Sequence, residues 1–139
     1  LSQNKSTLPE HLSLPTPAIL NNVAFNEDDI LQYIRCLDPN KCHGFVGISV
    51  RMVKLCVSIV KRLSIIFRNC INNGYFPSAW KKGNITPIHK KDEKNLIENY
   101  RPISILPICG KLLEKIIFNS LYNFFEKNNI FDVNQPEFR

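Results

Sequence analysis

Residues 79–106 read AWKKGNITPIHKKDEKNLIENYRPISIL, and this stretch decides how the rest of the chain is organised. Lys81, Lys82, Lys90, Lys91, Lys94 and Arg101 fall within 21 positions, and two short apolar segments, Ile85–Ile88 and Pro102–Leu106, lie among them. Apolar segments of that length, rich in β-branched residues and bounded by polar clusters, read as strands. Asn84–Lys90 is the first expected strand and Tyr100–Leu106 the second. Pro87 has no N–H to give to a ladder, so its strand must be an edge or carry an irregularity. The nine residues Lys91–Asn99 are polar and charged and form the connecting loop. Two strands joined by a mobile basic loop make a hairpin able to fold over a phosphate-rich ligand.

Both sides of this stretch read as helix. Asn26 is a good N-cap, and Glu27, Asp28 and Asp29 put negative charge in a first turn, where the helix dipole favours it. Adjacent aspartates also occur in polymerase metal sites, but no strand pattern surrounds this pair, so capping is its expected role. Ile30, Leu31, Ile34 and Leu37 follow at helical spacing, and Asp38-Pro39-Asn40 ends the run. From Ile48 to Asn73 the pattern is helical again. Val50, Val53, Val57, Val60, Ile66 and Cys70 are assigned to one face, widened by Leu63, Ile65 and Phe67. The length exceeds a usual globular helix, which predicts two helices with a break near Val57–Lys61. Asn73-Gly74 supplies a stop. Tyr75–Trp80 is an aromatic turn whose Trp80 anchors a core edge. Pro107–Asn128 carries the strongest stripe: Leu112, Leu113, Ile116, Ile117, Leu121, Phe124 and Phe125, with Lys111, Glu114, Lys115 and Glu126 outside it.

The 139 residues suffice for one domain with a real core. Residues 1–25, with Pro9, Pro15 and Pro17 among polar residues, are expected to be a disordered linker, and 26–139 the folded part. No apolar run nears the roughly 20 residues of a membrane span, and no signal peptide is visible. A net charge of +6 and a pI near 9.2 favour polyanion partners, although charge alone does not single out nucleic acid. The five cysteines form no CxxC pair, and the number is odd. Cys56 and Cys70 sit in apolar helical patterns as small hydrophobes. This is thiol usage for a reducing compartment, nucleus or cytoplasm. Cys36, Cys42 and His43 lack the spacing of a zinc motif. Lys41–Gly47, KCHGFVG, is a loop and not a dinucleotide fingerprint. Arg51, Lys54, Lys61, Arg62 and Arg68 read as a solvated helix face at least as readily as an RNA surface.

From Leu37 to Arg139 a series of motifs resembles the reverse transcriptases of non-LTR retrotransposons, the jockey-like and CR1-like elements above all. LDPNKCHGFVGI, ending at Ile48, looks like the family's opening motif, with its Lys and Gly-Pro-Asp-Gly-Ile turn. GYFPSAW (Gly74–Trp80) resembles Gly-x-Phe-Pro-x-x-Trp. Lys82–Lys91 and NYRPISIL (Asn99–Leu106) resemble the first two polymerase motifs, KLLEKIIFNSL (Lys111–Leu121) the helix after them, and Gln135–Arg139 the family's Gln-x-Gly-Phe-Arg. Each motif is moderately specific; their shared order and spacing is strong.

This resemblance implies an α+β, mostly helical fold: the fingers subdomain of a right-hand polymerase, with a short two-stranded antiparallel hairpin and the start of the palm. It implies an RNA template, a DNA primer, deoxynucleoside triphosphates and a two-metal mechanism with Mg²⁺ in the full-length enzyme. Lys90 and Arg101 correspond to the side chains that hold the incoming triphosphate, a point charge and a bidentate fork respectively. Lys41, Lys82 and Lys91 are the expected template contacts. No residue here matches a catalytic aspartate or a metal ligand, so the chain is expected to be a fragment, inactive alone. Val46 stands where the family has Asp, and Glu137, after Pro136, where it has Gly; both departures suit a diverged or decayed copy. The alternatives are a non-catalytic nucleic-acid-binding or interaction module, or an inactive remnant, derived from such an element.

Overall fold

A computed structural model describes residues 19–131. Four α-helices and one hairpin follow in the order α1 (Glu27–Cys36), α2 (Val50–Leu55), α3 (Ile59–Asn72), β1 (Asn84–His89), β2 (Tyr100–Ile105) and α4 (Ile108–Lys127). Short 3-10 turns at Ser78–Lys81 and Ile97–Asn99 precede the two strands. The fold is thus mixed helix and antiparallel sheet, as the sequence implies.

The start of α1 is a capping box: the Asp29 amide donates to Asn26 Oδ1 at 2.9 Å, and the Asn26 amide donates to Asp29 Oδ2 at 2.8 Å. Two orphan donors are satisfied reciprocally, so Asp29 is committed to the helix end. At the other end Lys54 Nζ donates to the Arg35 carbonyl at 2.8 Å, which satisfies an α1 carbonyl and ties α2 to α1. The expected break between α2 and α3 falls at Cys56–Ser58.

All four helices contribute to the core. Ile30 and Ile34 of α1, Val50 and Val53 of α2, Val60, Leu63, Phe67 and Cys70 of α3, and Ile108, Cys109, Leu112, Leu113 and Ile116 of α4 form the core. Val57 is exposed and Ile66 is exposed, contrary to the single continuous face assigned from the sequence. Val57 lies in the break itself, and Ile66 sits about 100° around α3 from its neighbour Phe67, off the face formed by Val60, Leu63, Phe67 and Cys70. Cys56 is likewise a surface thiol at the break and not a packed hydrophobe, whereas Cys70 is buried as expected.

The aromatic turn closes this core. Trp80 meets Phe67 edge-on at 5.9 Å and Phe76 at 6.0 Å between ring centroids. Phe25, at the end of the expected linker, meets Phe67 at 6.4 Å, and Arg68 lies 5.6 Å from the Phe25 ring centre. Val23 and Phe25 therefore belong to the packed body; most of 1–25 lies outside the described residues, as does 132–139.

The apolar stripe of α4 is buried only in its first half. Twenty residues make a helix of about 30 Å, longer than its helical neighbours α1 and α3. Beyond Ile117 the stripe outruns the helices that cover it, and Phe118 and Leu121 are exposed among the described residues. Asn119 Nδ2 donates to Tyr33 Oη at 2.6 Å and fixes α4 against α1 where the core ends.

Both long helices stop by the same device. After α3, Gly74 adopts φ +59; its amide bonds Ile71 O, and the Tyr75 amide bonds Cys70 O at 2.9 Å. After α4, Asn129 takes φ +52, with its amide on Glu126 O and the Ile130 amide on Phe125 O. These are Schellman ends, which need a left-handed residue just past the helix. Gly74→Ala is therefore expected to cost about 1–2 kcal/mol in urea unfolding, since nothing crowds a Cβ there and only the dihedral is strained.

Thiol labelling offers a second check. Burial pushes the Cys70 and Cys109 thiols up from their ordinary range. In the native chain at mildly alkaline pH, Cys36, Cys42 and Cys56 should react with a maleimide, while Cys70 and Cys109 react only on unfolding. Five thiols labelling at one rate would contradict this core.

Candidate nucleic-acid and nucleotide site

The candidate site is built on the hairpin. Its register pairs Asn84 with Ile105, Thr86 with Ile103, Pro87 with Pro102, Ile88 with Arg101 and His89 with Tyr100. The Lys90 amide donates to the Asn99 carbonyl at 2.8 Å, which extends the pairing by one step. Cross-strand partners share a face, and faces alternate along each strand. Thr86, Ile88 and Lys90 therefore share one face with Arg101 and Ile103. Lys90 and Arg101 are diagonal neighbours on it, and both are exposed. The hairpin brings together the two cations expected to grip a triphosphate.

Hydrogen-bonded and non-hydrogen-bonded pairs alternate in an antiparallel ladder. Counting from Lys90–Asn99, Pro87–Pro102 falls on a non-hydrogen-bonded position. Neither proline is asked for an inward N–H, so β1 and β2 pair through both of them without a bulge.

The loop is fastened by His89 and Tyr100 on the opposite face and by Asn99, the partner of Lys90. His89 and Tyr100 rings meet at 5.4 Å. His89 Nε2 lies 3.0 Å from the Asp92 carbonyl, Tyr100 Oη donates to the Lys94 carbonyl at 2.8 Å, and Asn99 Nδ2 donates to the Glu93 carbonyl at 2.8 Å. Asp92, at φ +64, turns the chain. The loop expected to be mobile thus has three side-chain ties to its own carbonyls. Lys91, assigned to template, sits 3.8 Å from Asp92 in an exposed ion pair. Such a pair is worth about 0–1 kcal/mol and leaves Lys91 readily available.

Lys41 and Lys82 lie at the foot of the hairpin. Lys41 is on the loop between α1 and α2, whose turns are set by Asn40 and Lys41 amides bonding Asp38 and by the Gly47 amide bonding Gly44 O at 3.1 Å. Arg51 Nη2 donates to Asn40 Oδ1 at 2.8 Å and holds this loop to α2. Lys82 Nζ stands 5.6 Å from the centre of the Phe45 ring. Gly44 joins loop to hairpin: a Cβ there would lie 2.5 Å from Pro107 N and 2.6 Å from the Leu106 carbonyl carbon. Only a hydrogen fits against that peptide. The sequence reading saw Gly44 as a turn residue and missed its packing role, for which no local signal exists.

Three of the helix cations have structural partners: Arg51 at Asn40, Lys54 at Arg35 O and Arg68 over Phe25. Lys61 and Arg62 are exposed. Among the described residues no three His, Cys, Asp or Glu side chains converge on a metal site. Asp29 is held by its cap, and Cys36, Cys42 and His43 assemble no cluster. The donor set does not fit a catalytic divalent metal, so no metal-dependent step is derived from these residues. No described helix is long and apolar enough to cross a membrane.

A helical body thus carries a basic hairpin, and comparison with known proteins gives the chain's relatives. The RNA-directed DNA polymerase from mobile element jockey of Drosophila melanogaster is 32% identical over 114 residues, 81% of this chain. Its counterpart in Drosophila funebris is 30% identical over 114 residues. A protein of transposon BS in Drosophila melanogaster is 31% identical over 134 residues, 94% of this chain. By sequence the chain is a relative of the RNA-directed DNA polymerases of non-LTR retrotransposons. It spans only 12–14% of the length of these relatives. No protein-family model matches it.

Gly44→Ala should destabilise the chain by about 1–3 kcal/mol, because the clash is with backbone and not with a yielding side chain. Gly83→Ala, whose nearest neighbour at 3.2 Å is the Leu106 side chain, should cost less. Equal losses in parallel thermal melts would show that the loop–hairpin contact is not the tighter of the two.

Proposed function

We propose that this chain is the fingers part, with the start of the palm, of a retrotransposon RNA-directed DNA polymerase, and that its hairpin binds the incoming deoxynucleoside triphosphate. The observation that carries this reading is the register, which sets Lys90 and Arg101 side by side on one exposed face. A fixed ammonium beside a planar guanidinium suits a triphosphate: one neutralises charge, the other grips two oxygens. Lys82 and Lys91, next to the strands, and Lys41, on the loop after α1, are the contacts to an RNA template in this reading. In the full-length enzyme Mg²⁺ supplies the chemistry of phosphoryl transfer; the residues described here bind and orient. The five free thiols suit a reducing compartment, nucleus or cytoplasm.

The 139-residue chain alone is expected to show no primer extension on an RNA template with Mg²⁺, since its described residues gather no carboxylates to hold the metals. It is expected to bind single-stranded RNA, with affinity falling steeply as salt rises, because the contacts are mostly to phosphate. Salt-independent binding would contradict this. In a catalytically competent polymerase carrying the segment, Lys90→Ala and Arg101→Ala should each lower kcat/KM for nucleotide about ten- to hundredfold, from contacts worth roughly 1.5–3 kcal/mol. Template affinity should change little. Lys61→Ala, on an exposed helix face, should leave nucleotide use nearly unchanged. Three equal effects in steady-state kinetics at varied nucleotide would reduce the hairpin pair to generic charge.

A further inference from the structure

We propose that Phe45, backed by the Lys82 ammonium, is a stacking platform for one base of a single-stranded nucleic acid. This rests on the reading of the chain as nucleic-acid binding and adds to it a residue that contacts a base rather than a phosphate. Phe45 and Val46 are the two central residues of the turn closed by the Gly47 amide on Gly44 O. The tip of that turn is apolar and outside the core: Phe45 is 60% exposed and Val46 40%. A single exposed ring is ordinary on a protein surface; what sets Phe45 apart is a cation at its face with no aromatic ring stacked on it among the described residues.

Its surroundings are those of a base-binding site. Lys82 Nζ lies 5.6 Å from the ring centre, so a cation covers one face while the ring stays largely open for a second planar partner. Lys41, four residues earlier on the same loop, and Lys81, next to Lys82, put further positive charge near a strand's phosphates. Aromatic rings set among cations are how proteins hold unpaired bases without regard to sequence. The turn is already ordered, by Gly44 against the Leu106–Pro107 peptide and by Arg51 on Asn40, so little loop entropy is lost on binding.

The other two exposed aromatic side chains among the described residues differ. Phe118 already stacks on Tyr122, with centroids 5.7 Å apart and planes at 30°. Tyr75 borders an apolar groove with Cys70, Ile71 and Phe76. Phe118 also has Lys115 Nζ 5.0 Å from its ring centre, but Tyr122 already fills the place of a planar partner.

The test is binding of fluorescent single-stranded RNA and DNA oligonucleotides to the 139-residue chain at low salt, each strand made with and without bases at its central positions. Phe45→Leu should weaken binding of the intact strands about five- to a hundredfold, with an unchanged salt slope. Phe45→Tyr should restore it, which separates stacking from any loss of fold. Abasic strands should bind wild type and Phe45→Leu alike. Preference for RNA over DNA, or none, reports the 2′-hydroxyl and leaves the platform intact. Phe45→Leu binding intact strands within twofold of wild type, or losing as much on abasic strands, overturns the platform while the nucleic-acid reading stands. A wild-type chain that binds neither strand overturns both.

Discussion

The approach of Gly44 to the Leu106–Pro107 peptide sets the frame of this molecule. At 2.5–2.7 Å a Cβ has no room, and the obstruction is the main chain of a single peptide. The loop that follows α1 is thereby fixed to the joint between β2 and α4, two segments more than 60 residues apart in the sequence. Lys41 and Phe45 take their place relative to Lys82 from this contact together with the Arg51–Asn40 bond. Without it the loop would keep its internal turns yet lose its place beside the hairpin. A substitution there would act at the site through geometry, with no change in charge.

The contact matters because the hairpin has little else beneath it. Every residue from Asn84 to Ile88 is exposed, and so are Arg101 to Ser104. Two strands alone are marginal in water. Their order comes from the pairing, from the His89–Tyr100 ring contact, from the loop ties to Asp92, Glu93 and Lys94, and from anchorage at both ends. The 3-10 turn carrying Trp80 leads into β1, and α4, whose Ile108, Cys109, Leu112 and Leu113 are core, leads out of β2. Stability thus resides in the helices and binding chemistry on the projection. This division lets cations crowd together where their mutual repulsion does not disturb the core.

Much of this was legible in the sequence because the signals are local. Asn26 with Asp29 three residues on marks a helix start by itself, and Gly74 marks a helix end. The short apolar segments Ile85–Ile88 and Pro102–Leu106, bounded by polar clusters, give the two strands. What was not legible depends on three-dimensional phase or close approach. Val57 and Ile66 were assigned to the apolar face of 48–73, but Val57 falls in the break at 56–58 and Ile66 lies to the side of the face α3 buries, so both are in water. Leu121 continues the α4 stripe perfectly well; its exposure reflects how far the neighbouring helices reach. Lys54 and Arg51 look like surface charge, yet each is a tie between segments 19 and 11 residues apart. At the site, the roles of Lys90 and Arg101 came from motif resemblance, and the register supplied only their shared face.

The paired prolines of the hairpin also bear on what the strands refuse. In a non-hydrogen-bonded pair, the main-chain groups point away from the partner strand, toward the two open edges. Pro87 and Pro102 stand opposite each other, so both edges lack a donor at the same level. An incoming third strand would meet a gap on whichever side it tried. Exposed edges commonly invite strand addition and aggregation, and proline is one of the ways proteins discourage it. A hairpin with Ile85, Ile88 and Ile103 open to water can in this way remain a lone pair of strands, free to meet a ligand with its face instead of another chain with its edge.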